Sequence, residues 1–194
     1  MLGAVGARVI TEGAIWLYLA AVLAIAIHWK RRPLRGIGLH RLTLATLGFG
    51  LGGAVALFVA GQAGAFIVYT LARQPAHADT QVAAMMDGSV LYAIFLALRA
   101  GVIEEVLFRG LAIEQLTTLT DNRLLASGIA MVVFILVHML HFDLAQLVPI
   151  SMVSIILTGL YLWRRDLMAN IIAHTLLDGV GLVSVALQTH ATAT

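Results

Sequence analysis

The chain has 194 residues, 61% of them hydrophobic and 11% charged, with a mean hydropathy of +0.97. Soluble domains are about 45–50% apolar and about 25% charged, so a soluble enzyme, a disordered tail and a nucleic-acid-binding domain are excluded. The formal charge is only +2, and the absence of cysteine rules out disulfides, thiolate metal sites and a cysteine nucleophile.

A membrane span takes about 20 residues, so the length accommodates roughly six spans in a single integral membrane domain over residues 1–194. Continuous apolar runs predict helices over about Gly13–Trp29, Leu42–Leu71, Val90–Leu116, Leu124–Leu140, Leu144–Trp163 and Leu167–Leu187. The expected fold is an all-α polytopic bundle whose chemistry lies within about residues 90–187. The first run is followed, not preceded, by Lys30, Arg31 and Arg32. It therefore reads as a retained anchor and not as a signal peptide. The second carries Gly48, Gly50, Gly52, Gly53, Gly61 and Gly64, small residues that let helices approach closely in lipid or simply follow the glycine enrichment of membrane helices.

The loops after helices one, three and five hold Lys30, Arg31, Arg32, Arg35, Arg41, Arg123, Arg164 and Arg165, against Arg8 and Arg73 on the other side. This bias places those three loops in the cytoplasm and both termini outside. The stretch from Arg73 to Ser89 is then the longest external loop.

Ionisable groups inside spans cost about 2.5–3.5 kcal/mol each on an insertion scale, so each one points to function. The third helix holds Arg99, Glu104, Glu105, Arg109 and Glu114; the fourth holds His138, with His141 just beyond; the sixth holds His174 and Asp178. Glu105 and Arg109 are four apart and share a helix face on which they can pair. Glu104 points about 100° away and is left available as a general base for water. Phe134 and His138 are likewise four apart, as are His174 and Asp178. Asp178 can orient His174, and Phe134 can wall the substrate pocket. A carboxylate base and two imidazoles in an apolar cavity suit hydrolysis of a peptide bond. The same Glu104, His138 and His174 could instead hold a divalent metal such as zinc, although no H-E-x-x-H signature is present. A binding-only membrane protein and a small proton-coupled transporter are the alternatives from other classes.

Straight helices at about 1.5 Å per residue put Glu104 and His174 roughly 10 Å from the cytoplasmic face and His138 nearer the other side. The three meet only if the fourth helix starts later, tilts or ends inside the membrane.

Glu104-Glu105-x-x-x-Arg109, followed by Gly110, resembles the first motif of the CPBP intramembrane proteases. That family includes type 2 CAAX prenyl endopeptidases and bacteriocin-processing or self-immunity proteins. Phe134-x-x-x-His138 is similar to its second motif and His174-x-x-x-Asp178 to its third, in order on three helices. The resemblance implies a glutamate- or metal-dependent endopeptidase in a prokaryotic cell membrane, with a membrane-associated protein or peptide as substrate. By position, Glu104 and His138 would activate water. His174 and Asp178 would stabilise the oxyanion or complete a metal site, and Glu105 and Arg109 would hold the site in shape. Among its members, an immunity protein would bind its partner without cleaving it.

Overall fold

The computed structural model describes residues 4–26, 34–72 and 89–193, with no account of the side chains at 4–5 and 190–193. The cations Lys30, Arg31, Arg32 and Arg73, and the rest of the expected outer loop through residue 88, lie outside the described residues.

All regular structure among the described residues is helical: α1 Ala4–Ala24, α2 Leu44–Ala72, α3 Val90–Glu104, a π-helical segment Glu105–Ala112, α4 Ile113–Thr120, α5 Arg123–His138, α6 Leu144–Arg164 and α7 Leu167–Ala193. A short 3-10 turn covers Leu34–Ile37. The third rod is continuous from α3 through the π segment into α4, and it runs four residues past the expected end at Leu116. Among the described residues, four stretches are long and apolar enough to cross a bilayer: Gly6–Ala24, Leu44–Leu71, Leu144–Arg164 and Leu167–Thr189. The expected fourth span is too short for that, since α5 has 16 residues, and the third rod is interrupted by charge.

Side chains at the helix ends set the turns. Ser89 opens α3 by accepting from the Tyr92 amide. Asp121 adopts a left-handed conformation after α4, and Asn122 then caps α5 by accepting from the Leu125 amide at 3.0 Å. Asp143 and Gln146 form a reciprocal capping box at the start of α6, which satisfies two otherwise orphaned amides. Arg165 is left-handed at the far end of α6, and Asp166 accepts from the Ala169 amide to begin α7. The result is a tight α4–α5 hairpin and a short α6–α7 turn.

α2 packs along α6 and α7, and α7 packs along α3. Of the α2 glycines, Gly50, Gly53 and Gly64 do sit where an added Cβ would press on Ile172, Ala173 or Pro149, whereas Gly48 and Gly52 face open space. α1 begins nine residues before its expected start, which brings Glu12 inside the helix. There it meets Arg99 at 3.5 Å and accepts from the Tyr92 hydroxyl at 3.3 Å. Leu17, Leu44, Val55, Phe66 and Val180 are exposed on the outside of the bundle, the covering that lipid requires and water does not tolerate in quantity.

One end of the molecule gathers the short connections. Leu167 donates its amide to the Gly38 carbonyl at 2.8 Å, and the Thr46 hydroxyl donates to Asp166 at 2.7 Å. Arg123 and Arg165 both reach Glu114. Arg35, Arg41, Arg123, Arg164 and Arg165 therefore belong to one end of the bundle.

Candidate active site

Glu105 is the first residue of the π segment and is fully buried. The wider π turn brings residues i and i+4 nearly into line, and such turns recur at functional sites. Arg109 donates to Glu105 Oε1 at 2.7 Å, with 2% and 0% of the two side chains exposed. Its other terminal nitrogen donates to the Ser154 hydroxyl at 2.9 Å, and its guanidinium lies over the Phe134 ring at 4.5 Å from the centroid. Asn170 donates to Glu105 Oε2 at 3.2 Å and to the Leu157 carbonyl at 2.7 Å. A buried ion pair persists only when its remaining hydrogen-bonding capacity is satisfied, and Ser154 and Asn170 supply that here.

Sequence reasoning passed over both of these residues. Ser154 carries no signal beyond being a small polar residue in a span. Asn170 does carry one, because Asn170, His174 and Asp178 recur every four residues on one face of α7.

His174 points Nδ1 at Glu105 Oε1, 2.8 Å away. Asp178, expected to orient this ring, instead has its Oδ2 at 3.5 Å from Nε2, too long and on the other edge. The orienting bond thus comes from Glu105, on another helix. His138 is held differently: its Nδ1 is 2.8 Å from the Phe134 carbonyl oxygen, within its own helix. Each imidazole has one nitrogen committed, and each turns Nε2 toward the same atom. Glu104 Oε2 lies 3.9 Å from His138 Nε2 and 4.0 Å from His174 Nε2. These distances exceed a direct hydrogen bond. Glu104 is 28% exposed against 0% for Glu105, so the adjacent carboxylates occupy different settings.

Phe134, expected to wall a substrate pocket, is 2% exposed. Its contacts are with Arg109, the edge of Phe108 and the His138 ring, whose centroid is 4.3 Å from its own. It buttresses the two polar groups from behind. His141 is exposed in the turn after α5 and takes no part in the cluster.

The expected conflict of depth disappears because the α4–α5 turn comes late. Asp121, in that turn, is 17 residues after Glu104 and 17 before His138. In an antiparallel hairpin, equal distance from the turn means equal height, so these groups face each other. α5 also ends at His138, which leaves that ring at the helix terminus. On the far side of α3, Gly101 lets α7 come close: an added Cβ would sit 2.9 Å from the Thr175 amide nitrogen. This contact brings His174 against Glu105. An apolar groove of about 490 Å³ runs beside it between α3 and α7, lined by Ile94, Ala97, Thr175, Leu176, Gly179 and Val180, among others.

Among the described residues, no three His, Asp or Glu side chains stand close enough to share a metal ion. Glu104, His138 and His174 have donor atoms that zinc accepts, with bonds of about 2.0–2.2 Å. Such ligands crowd more closely than the 3.9 and 4.0 Å separations seen here. The site as built does not fit a zinc ion.

No curated protein and no solved structure matches the chain. The model of one family does, that of the type II CAAX prenyl endopeptidases, Rce1-like, over residues 86–180. That segment holds Glu104, Glu105, Arg109, Phe134, His138, His174 and Asp178, so the motif-bearing stretch of this membrane chain is similar to the Rce1-like family of type II CAAX prenyl endopeptidases.

Proposed function

We propose that the protein is an intramembrane endopeptidase that hydrolyses a peptide bond near the end of a lipidated, membrane-associated protein or peptide, using a water activated by carboxylate and imidazole. One observation carries this reading: both imidazoles commit Nδ1 elsewhere and converge Nε2 on the single atom Glu104 Oε2. A water spanning these atoms loses a proton to Glu104 as its oxygen attacks the scissile carbonyl carbon. His138, with Nδ1–H donated to the Phe134 carbonyl, presents the Nε2 lone pair to the same water and aligns it. A protonated His174, with Nδ1–H on Glu105, donates Nε2–H to the oxyanion, and Asp178 offsets its charge. Glu104 then passes its proton to the leaving amine as the C–N bond breaks. Arg109, Ser154 and Asn170 hold Glu105, and Glu105 holds His174. The apolar groove beside His174 offers a place for the lipid chain of such a substrate.

The test uses a farnesylated peptide ending in a CAAX sequence. Glu104→Gln keeps the shape and removes the base, so cleavage falls by at least about 10²-fold while the variant still folds. His138→Ala and His174→Ala are comparably damaging, and their combination adds little, because members of one catalytic unit are not additive. Activity should also survive a strong chelator. Loss that zinc restores would replace the carboxylate–imidazole scheme with metal chemistry, and near-normal cleavage by Glu104→Gln would end the enzymatic reading in favour of a binding-only membrane protein.

A further inference from the structure

Glu114 lies well away from the reacting groups, yet its carboxylate is used as fully as that of Glu105. Oε1 accepts from Arg123 at 2.6 Å and from the Tyr161 hydroxyl at 3.0 Å, and Oε2 accepts from Arg165 at 2.7 Å. Tyr161 is fully buried, and its hydroxyl also lies 3.2 Å from the Ile37 carbonyl oxygen. One carboxylate thus joins the α4–α5 hairpin, the α6–α7 turn and the 3-10 turn. These are the connections that lead to His138, to His174 and out of α1.

We propose that Glu114 is a positioning residue that sets the axial register of Glu104 against His174 and His138. Glu114 follows Glu104 by ten residues, and Arg165 precedes His174 by nine. The tie therefore lies nine or ten residues from the reacting groups along both rods, so pinning these ends levels the groups above. Arg123 opens α5 and pins the helix that ends in His138 to the other oxygen of the same carboxylate.

Where the α3–α7 seam passes the reacting groups it is built of small residues. Gly101 lies against Thr175, and Gly179 against Ala97. Small residues give close approach, and the larger side chains of the seam, Leu96, Leu182 and Val185, pack farther along α7. A misplacement of about 1 Å at reacting groups can cost on the order of 10² in rate, so a pin remote from the chemistry has a kinetic effect.

The inference rests on the catalytic reading of Glu104, and its test separates the two. Arg165→Gln is the variant of choice, because that side chain is 50% exposed and its removal leaves Arg123 and Tyr161 on Glu114. Turnover of the farnesylated CAAX peptide should fall by about tenfold in kcat, with KM changed by less than about twofold. Register is read without activity by Ala97→Cys with Gly179→Cys in the full chain in detergent. The Gly179 Cβ would lie 3.9 Å from that of Ala97, within disulfide range. Oxidative cross-linking should be at least about threefold slower when Arg165→Gln is added, since disulfide geometry is strict. Glu114→Gln should lower both readouts further. Unchanged turnover, or lower turnover with unchanged cross-linking, overturns the register role. Glu104→Gln, measured in parallel, decides the catalytic reading by itself, since cross-linking does not depend on it.

Discussion

Glu105 is held by three donors, Arg109, Asn170 and His174, and two of them have a second anchor: Arg109 on Ser154 and Asn170 on the Leu157 carbonyl. Removing one partner of a buried charge pair leaves the other uncompensated, at about 3–5 kcal/mol. Arg109→Ala should therefore lower the melting temperature in detergent and the yield of folded protein. An unchanged melting temperature would show that the pair does not matter to the fold. The Glu105–Arg109 pair was legible from a spacing of four. The Glu105–His174 bond joins residues 69 apart in sequence, and no periodicity reaches that far. Asn170 lay within reach of the same spacing argument, but a neutral amide in a span does not stand out as a charge does.

At the scale of elements, one departure from regular helix and one close helix contact build the candidate site. The π segment aligns Glu105 with Arg109, and the close seam at Gly101 presents both to α7. The Gly101 contact is with the Thr175 backbone, which cannot rotate away as a side chain could. Gly101→Ala should thus cost about 1–3 kcal/mol by overpacking and reduce activity with it. Gly52→Ala, on the exposed face of α2 with nothing within 4 Å, should be neutral or slightly stabilising. Equal melting temperatures for the two variants would refute the seam. Helix ends mattered as much. A third rod ending at Thr120 instead of Leu116, with a turn at Asp121 and Asn122, is what levels Glu104 with His138. Apolar runs do not reveal this, because the polar sequence from Thr117 to Thr120 reads as a loop until it is seen to be helical.

The whole molecule brings its described terminal-turn cations to one end and the Glu12–Arg99 pair toward the other. Taken with the positive-inside bias, this supports a chain whose arginine-rich end faces the cytoplasm. Having no cysteine, the protein suits single-cysteine labelling. Arg35→Cys, at an exposed position, should react only after the membrane is opened. Labelling from outside intact cells would reverse the orientation.

By itself the sequence determined the class of molecule and the family it resembles. Composition alone demands a helical membrane protein, and three spaced motifs in order carry the likeness to the type II CAAX prenyl endopeptidases. Both follow from local properties, namely the apolar content of each segment and residues four apart on a helix. Only the tertiary structure decided which carboxylate faces the imidazoles, which group orients His174, and that Phe134 stands behind the site instead of lining it. Those outcomes depend on how far each helix runs and which helices touch. Long-range packing through small residues and buried polar ties sets both, and its energy belongs to pairs of segments distant in the chain.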